Sequence, residues 1–257
     1  MTAVDPLWTG SAVALVTLFD RDGEVAAEAT AEHAARLVSL GIRAVLVNGT
    51  TGEASTLSDP ERAALIRAVK RACPDVPVLA GASGEWWRPA AERVAAAVDA
   101  GADAVLVAPP RSGGALGDYY ARAAEAAAGV PLMAYHFPGV AGGEVPIDAL
   151  ADLPVCGVKD SSGSPERLAQ EIDLDWPGTV YTGSAALVGY AGWLGATGAI
   201  VAAANLIPEL CAKAWDGDAA AQLELLRTER ALGPTFPGAL KDAMENRFGT
   251  PTTCRSA

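Results

Sequence analysis

The lysines of this chain are few, and one of them lies in different surroundings from the rest. The 257-residue sequence contains lysine only at positions 70, 159, 213 and 241. Lys70, Lys213 and Lys241 lie in helical patterns compatible with solvent, whereas Lys159 ends the apolar run Val155–Val158. Burial penalises the ammonium form of a lysine, so such a position favours a neutral amine. Because a neutral amine attacks a ketone to give an imine, Lys159 is a candidate nucleophile.

Two features near Lys159 bear on this interpretation. The adjacent Asp160 offers a structural alternative, in which Lys159 is simply one half of an ion pair. Tyr135 ends the preceding apolar run, and the ends of consecutive strands are neighbours in a parallel barrel. Its phenol could then relay protons while the imine forms. A rim tyrosine that only packs its ring is the other interpretation of Tyr135.

The loop Gly49-Thr50-Thr51-Gly52-Glu53 follows the second apolar run and could bind a carboxylate. Its two glycines allow close backbone approach, and its threonines add hydroxyl donors to the backbone N–H groups. No Gly-Lys-Ser/Thr follows it, so it does not match a P-loop. Loops of Gly and Thr are also common as plain turns, so the motif alone is weak.

Metal-dependent and serine-hydrolase chemistries find little support in the sequence. His33 and His136 are the only histidines, there is no HExxH, and no metal site is expected. A GxSxG nucleophile elbow is also missing. The four cysteines form no CxxC pair, which is typical of reduced thiols in a cytoplasmic protein: they are Cys73, Cys156, Cys211 and Cys254.

Charge and hydropathy exclude two classes of partner. The net charge is −12 and no Lys/Arg cluster offsets it, so nucleic-acid binding is not expected. No apolar stretch approaches the roughly 18 residues of a membrane span, so no membrane partner is expected. No basic residue precedes Arg21, which argues against the n-region of a signal peptide. A cytoplasmic location is therefore predicted.

Eight short apolar runs alternate with helical patterns, and each run is continuous, as in parallel strands buried on both faces. The predicted strands are Ala12–Thr17, Ala44–Asn48, Val76–Gly81, Ala104–Ala108, Val130–His136, Val155–Lys159, Thr179–Gly183 and Ala199–Ala203. The clearest predicted helices are Thr30–Leu40, Ser58–Ala72 with a capping box, Pro89–Ala100 and Leu116–Ala128.

Eight strand–helix units without a linker predict a single (β/α)8 TIM-barrel domain over residues 1–257, with C-terminal helices from about residue 207. A doubly wound open sheet is the alternative, but no GxGxxG follows the first strand. In a barrel, chemistry lies at the C-terminal ends of the strands. The candidate residues fall there.

Three segments taken together resemble the pyruvate-dependent class I aldolases and lyases that include dihydrodipicolinate synthase and N-acetylneuraminate lyase. They are Gly49-Thr50-Thr51-Gly52-Glu53, Tyr135-His136-Phe137-Pro138 and Gly157-Val158-Lys159-Asp160-Ser161-Ser162-Gly163. They occur in family order at the ends of predicted strands two, five and six. The resemblance extends over most of the chain, from about residue 10 to 250, and includes Gly183-Ser184.

The resemblance implies a role for each matching position. Lys159 matches the Schiff-base lysine, and Tyr135 matches the tyrosine that acts as acid/base. Thr50 and Thr51 match the residues that bind the pyruvate carboxylate, Thr51 also being a catalytic candidate in the hydroxyl relay. Ile200 falls near a position whose carbonyl faces the site. Further substrate-binding positions are Gly49, Gly52 and Gly183. No cofactor is implied, since the imine itself is the electron sink.

Two departures from the family pattern narrow the expected function. In dihydrodipicolinate synthases an arginine stands where this chain has Val140, and a tyrosine stands near Arg111. We therefore expect cleavage or formation of 2-oxo-3-deoxy sugar acids or 4-hydroxy-2-oxo acids, with Arg111 or His136 contacting the distal part of the substrate. An exposed loop cation is the alternative for Arg111.

Two other functions stay open at this point. One is 4-hydroxy-tetrahydrodipicolinate (dihydrodipicolinate) synthase activity despite Val140, and the other is non-catalytic binding of a 2-oxo acid. Either way the expected partner is a small 2-oxo acid. The family usually forms dimers or tetramers, so a homo-oligomer is expected. A shortened C-terminal helical extension is expected, because members of the family usually continue through another helix.

Overall fold

A computed structural model describes residues 5–233 and 235–256, and within these ranges eight parallel strands close into one barrel. The strands pair in chain order, and the last pairs with the first. The strands are β1 Gly10–Ala14, β2 Val45–Val47, β3 Val78–Gly81, β4 Ala104–Val107, β5 Leu132–His136, β6 Gly157–Asp160, β7 Thr179–Thr182 and β8 Gly198–Val201. The predicted (β/α)8 barrel is confirmed, and the open-sheet alternative is wrong.

Helices surround the barrel in the described ranges. They are α1 Ala27–Ser39, α2 Asp59–Ala72, α3 Trp87–Asp99, α4 Leu116–Ala127, α5 Pro165–Asp173, α6 Val188–Leu194, α7 Pro208–Trp215, α8 Ala219–Leu232 and α9 Gly238–Phe248. Short 3-10 turns occupy Ala54–Thr56, Ala185–Leu187 and Ala202–Asn205. The predicted capping box of Ser58 and Glu61 is present at the start of α2.

The connection from β5 to β6 departs from the predicted strand–helix repeat. Residues 147–152 form turns, and this described segment contains no α-helix. Pro146 and Pro154 bracket the segment, and a proline lacks the N–H that a continuing helix requires. The space between them is therefore too short for several helical turns.

Strand side chains alternate between two layers. Inward-facing residues such as Leu106, Tyr135, Tyr181 and Ile200 fill the barrel interior as one cluster. Outward-facing residues such as Val158 pack against the helices in a second, larger cluster. Since the side-chain period of a strand is two, adjacent residues of one strand belong to different layers.

The barrel closes between its last and first strands with the help of one buried amide. Asn205, which is fully buried, accepts a hydrogen bond from Val16 N at 3.1 Å and donates one to Ala14 O at 2.7 Å. The 3-10 turn after β8 is thereby attached to the end of β1. This fixes the rim where polar residues could act.

Candidate active site

Tyr135 and Lys159 lie side by side at the ends of β5 and β6. The register pairs Tyr135 with Lys159 and Lys159 with Tyr181, so all three face the barrel interior. Lys159 is 4% exposed and Tyr135 is 6% exposed. The Lys159 Nζ lies 4.6 Å from the centroid of the Tyr135 ring. An amine and a phenol are therefore in contact inside the mouth of the barrel.

Gly183, just after β7, leaves room for the Lys159 side chain. A Cβ at this position would lie 3.0 Å from Lys159 Cε and would overlap Ser161 Oγ. Ile200 is 1% exposed and packs in the same interior cluster as Tyr135. The predicted positions on β5 to β8 thus surround one lysine.

The loop after β2 has backbone donors that its own turns do not use. Gly52 N donates to Gly49 O at 3.0 Å, and Glu53 N donates to Thr50 O at 3.1 Å. No acceptor for Thr50 N or Thr51 N occurs among the hydrogen bonds of the described residues. Two successive free N–H groups of this kind suit an anion such as a carboxylate.

Thr17, three residues after β1, holds this loop in place through its side chain. Thr17 Oγ1 donates to Gly52 O at 2.7 Å, and a Cβ at Gly52 would lie 2.9 Å from Leu15 O. Thr51 is buried, whereas Thr50 is exposed. The two threonines therefore differ in their exposure to solvent, which is compatible with different roles in carboxylate binding and in a hydroxyl relay.

Glu53, the last residue of the motif, serves the structure and not the cavity. Its carboxylate accepts hydrogen bonds from Lys241 Nζ at 2.6 Å, Arg255 N at 2.8 Å, and both Ser256 N at 2.7 Å and Ser256 Oγ at 2.8 Å. Burial alone would raise the pKa of Glu53, but the hydrogen bonds from Lys241 and Ser256 outweigh it and lower the pKa below 4.5. The loop is thus tied to α9 and to the segment after it.

This ion pair corrects the expectation that Lys241 lies in a solvent-compatible helix. Lys241 is 0% exposed, and its partner Glu53 is 188 residues away in sequence. The helical pattern around Lys241 carries no sign of a partner so distant. A sequence signal was lacking because charge pairing over that separation depends on the closed fold.

A cavity of about 190 Å³ opens beside Tyr135 at the barrel mouth. Gly49, Thr50 and Arg111 line it together with Tyr135. Lys159 is not among the described lining residues, and its Nζ lies 4.6 Å from the centroid of the Tyr135 ring. The cavity therefore extends from the Gly49–Thr50 part of the loop to Tyr135, the residue that contacts the lysine.

Arg111 and His136, the two predicted distal contacts, occupy different places. Arg111 is exposed, lines the cavity, and donates from Nη2 to Val140 O. His136 is 3% exposed, and its Nδ1 accepts a hydrogen bond from Val145 N at 3.1 Å. Burial, and then the charge of Arg167, lower the pKa of His136. Being next to Tyr135 on one strand, His136 faces outward, so of these two residues Arg111 is the one that lines the cavity.

Asp160 does not neutralise Lys159. It faces outward, and its carboxylate oxygens accept hydrogen bonds from Ser162 N and Ser162 Oγ, both at 2.9 Å. Arg167 Nε lies 3.7 Å from the same carboxylate. Within the described ranges no ion pair includes Lys159. The alternative that Lys159 is half of a structural pair with Asp160 is wrong.

Two further kinds of feature are absent from residues 5–233 and 235–256. Among these residues no group of three or more His, Cys, Asp or Glu side chains could hold a metal ion. No helix in the same ranges has both the length and the apolar character needed to cross a bilayer. The four cysteines are free thiols.

Comparison with known proteins gives consistent matches along most of the chain. The model of the dihydrodipicolinate synthetase family matches residues 7–230. An uncharacterised DapA-like lyase of Halobacterium salinarum is 35% identical over 80% of this chain and 71% of its own length. A 4-hydroxy-tetrahydrodipicolinate synthase of Natronomonas pharaonis is 30% identical over 97% of this chain and 91% of its own.

Solved structures agree with these sequence matches. The crystal structure of dihydrodipicolinate synthase from Acinetobacter baumannii, complexed with pyruvate, superposes with a TM-score of 0.85 and 30% sequence identity. The match covers 96% of this chain and 91% of that one. The barrel fold is therefore shared over most of both chains.

Proposed function

Since the chain belongs to the dihydrodipicolinate synthetase family, whose members are lyases and aldolases, we propose that it is a class I aldolase or lyase that joins Lys159 to pyruvate as a Schiff base. The substrates proposed are 2-oxo-3-deoxy sugar acids or 4-hydroxy-2-oxo acids, cleaved to pyruvate and an aldehyde. The observation that supports this best is the contact of Lys159 Nζ with the Tyr135 ring, 4.6 Å from its centroid.

In the proposed reaction, the neutral amine of Lys159 attacks the 2-oxo carbon to give a carbinolamine. Tyr135 relays a proton to the departing hydroxyl, and loss of water leaves a protonated imine. The Tyr135 oxygen, which gave up its proton to the departing water, then takes the proton of the C4 hydroxyl as the C3–C4 bond breaks. The aldehyde is released, and the bonding electrons enter the imine to form an enamine. Protonation of the enamine at C3 and hydrolysis then release pyruvate and free Lys159. Condensation is the same path reversed.

The carboxylate of the substrate is assigned to the loop Gly49–Gly52. Its support is the pair of N–H groups at Thr50 and Thr51, which have no acceptor among the hydrogen bonds of the described residues. Holding the carboxylate there fixes the 2-oxo carbon in front of the amine, which replaces a bimolecular encounter with an oriented one. Ile200 and Gly183 complete the proposed pocket around the lysine.

The decisive experiment is reduction with borohydride in the presence of pyruvate, followed by peptide mass mapping. We expect the pyruvate-derived mass on the peptide that contains Lys159. The matched variants are Lys159→Arg, which should trap nothing, and Lys213→Arg, which removes a lysine outside the site and should trap normally. Trapping that persists in folded Lys159→Arg would overturn the proposal.

A second candidate activity is 4-hydroxy-tetrahydrodipicolinate synthesis, favoured by the relatives that carry this name. Against it, Val140 stands where the family resemblance implies an arginine for the second substrate. A condensation assay with pyruvate and aspartate semialdehyde separates the two activities. Pyruvate binding without trapping or aldol exchange would instead favour a non-catalytic binding protein.

We also propose that the protein acts in the cytoplasm and as a homo-oligomer. Two buried free thiols, Cys73 and Cys211, suit a reducing cytoplasm. Trp193 on α6 is 80% exposed and Leu223 on α8 is 55% exposed, which suits an interface in the expected dimer or tetramer. Sedimentation velocity over a concentration series would show a single monomeric species if this is wrong.

A further inference from the structure

The cavity beside Tyr135 carries an excess of positive charge. Its charged lining residues are Arg62, Arg93, Arg111 and Glu85. Three guanidinium groups therefore face one carboxylate, in a chain whose net charge is −12. A local positive field against a negative average is the arrangement that concentrates an anion in a cleft.

Arg62, on α2, is buried, whereas the carboxylate that pairs with it is largely exposed. It is 8% exposed, and it donates to two backbone carbonyls, Leu57 O at 3.3 Å from Nε and Ala54 O from Nη2. Burial, and then repulsion by Arg93, lower the pKa of Arg62 to about 10. The Asp59 carboxylate is 3.8 Å away, and its side chain is 66% exposed. Solvent therefore weakens the attraction between the Asp59 carboxylate and the buried Arg62 guanidinium.

Arg93, on α3, uses only part of its hydrogen-bonding capacity. Nη1 donates to Ser83 O at 2.7 Å and Nε to Asp59 Oδ1 at 3.3 Å. Among the hydrogen bonds of the described residues, Nη2 of Arg93 has no acceptor, and neither do Nε and Nη1 of Arg111. A guanidinium with unused donors matches the two oxygens of a carboxylate or the oxygens of a phosphate.

We propose that Arg62 and Arg93, with Arg111, form an anion subsite for a second acidic group of the substrate. The first acidic group is the 2-oxo acid carboxylate proposed to lie at the Thr50–Thr51 N–H groups, and Thr50 lines the same cavity. This inference rests on the proposed function and makes its substrate more specific. The substrate is an acid at both ends, and its aldehyde product carries a carboxylate or a phosphate.

The test measures condensation of pyruvate with aldehydes in matched pairs. Succinic semialdehyde is compared with butanal, and glyceraldehyde 3-phosphate with glyceraldehyde. We expect the wild-type kcat/KM to favour the acidic member of at least one pair by about tenfold or more, as a charge-assisted hydrogen bond would give. The pair with the larger preference identifies carboxylate or phosphate as the group held.

Arg93→Gln is the main variant, because Arg62 also supports the backbone at Leu57 and Ala54. The preference for the acidic aldehyde should fall about tenfold in Arg93→Gln, and Arg111→Gln should lower it in the same direction. Arg71→Gln is the matched control, since Arg71 pairs with Glu28 on the outer surface and its side chain is 62% exposed. Its preference should equal the wild-type value.

Two outcomes would overturn the subsite. One is a wild-type enzyme that treats acidic and neutral aldehydes alike, and the other is a preference that Arg93→Gln and Arg111→Gln both leave intact. Inorganic phosphate and succinate should inhibit competitively with the aldehyde, and non-competitive inhibition would indicate an effector site instead. Trapping of pyruvate on Lys159 in the wild type tests the proposed function separately, since pyruvate has no second acidic group.

Discussion

Tyr135 combines a packing contact with a hydroxyl group that the fold does not otherwise employ. Lys159 Nζ lies 4.6 Å from the centroid of the Tyr135 ring. Within residues 5–233 and 235–256 the Tyr135 hydroxyl makes no hydrogen bond. The hydroxyl of Tyr120 donates to Val107 O at 2.9 Å, whereas Tyr135 lines the cavity. The contrast supports a chemical role for Tyr135.

The variant Tyr135→Phe should therefore separate chemistry from stability. It keeps the ring beside Lys159 and removes the proton relay, so we expect imine formation to slow by about 10²- to 10⁴-fold. Single-turnover borohydride trapping measures the rate, and calorimetry should show little change in Tm. Tyr120→Phe is the control: it should lose about 1 kcal/mol of stability and keep its trapping rate. Equal trapping rates in both variants would contradict the role.

Glu171 of α5 is a buried acid near Asp160, and burial disfavours its charged form. Glu171 is 0% exposed, and its Oε1 lies 2.8 Å from Arg167 Nη2 without hydrogen-bond geometry. Burial, and then the nearby Asp160 carboxylate, raise the pKa of Glu171 to about 8. One arginine thus lies beside two carboxylates, and burial disfavours the charged form of Glu171.

This shift predicts a pH dependence of stability. The folded state holds the Glu171 proton until about pH 8, whereas an unfolded chain releases it near the ordinary value of 4.5. The contribution of Glu171 is therefore fully present below pH 4.5 and is lost as the pH rises to about 8. Glu171→Gln should lose this dependence and unfold at an equal or higher Tm at pH 8. A parallel decline of both Tm curves across that window would show that Glu171 is not responsible.

How far single residues could be predicted follows from how local their signal is. Lys159 and Tyr135 each end an apolar run, and that signal requires only a few neighbouring residues. His136 was expected at the same mouth, but the two-residue period of a strand turns it away from Tyr135. Arg93 carried no signal, since a helical arginine is ordinarily a solvated one and only the closed barrel brings it to the cavity.

At the scale of elements, the order of strands and helices was predicted better than their ends. The first strand was expected at Ala12–Thr17 and is found at Gly10–Ala14. Leu15 and Val16 are apolar because they are buried beyond the strand, Val16 against Leu240 and Met244 of α9. An apolar run therefore reports burial, and it does not distinguish a strand from the loop that follows it.

The start of α2 offers an element-scale prediction. Ser58 N and Ser58 Oγ both donate to Glu61 Oε2, at 2.7 and 2.8 Å, and Arg255 donates to Oε1 of the same carboxylate at 2.6 Å. Ser58→Ala should cost about 1 kcal/mol, as the loss of an N-cap does, which corresponds to about 2–4 °C in Tm. Thermal unfolding measures this. Ser164→Ala, at the N-cap of α5, is a matched comparison and should show a similar loss.

At the scale of the whole molecule, one buried ion pair connects Glu53, at the end of the loop after β2, with Lys241 of α9. Lys241→Met leaves Glu53 buried without its cation, and breaking such a pair costs about 3–5 kcal/mol. The Glu53 donors Arg255 N and Ser256 N remain, so we expect the lower end of that range, measured by denaturant unfolding. The affinity for pyruvate should fall as well, because Glu53 directly follows the Gly49–Gly52 loop.

A double-mutant cycle makes this prediction specific. Lys241→Met combined with Glu53→Gln removes both charges, and we expect the double variant to be more stable than the sum of the two single losses implies. Strict additivity would contradict a direct coupling.

The single domain over residues 1–257 stays a prediction, and Met1–Val4, Pro234 and Ala257 lie outside the described residues.

The pairing of Glu53 with Lys241 also has a consequence for biosynthesis. Glu53 is translated 188 residues before the lysine that neutralises it. At ordinary elongation rates of about 5–20 residues per second, this delay is roughly 10–40 s. During that interval the nascent chain contains the complete Gly49–Glu53 loop, but Glu53 does not yet have Lys241 as its partner. Polypeptides released before residue 241 lack the cation altogether, so a ribosome that stalls in the last helices yields a product whose Glu53 has lost its Lys241 partner.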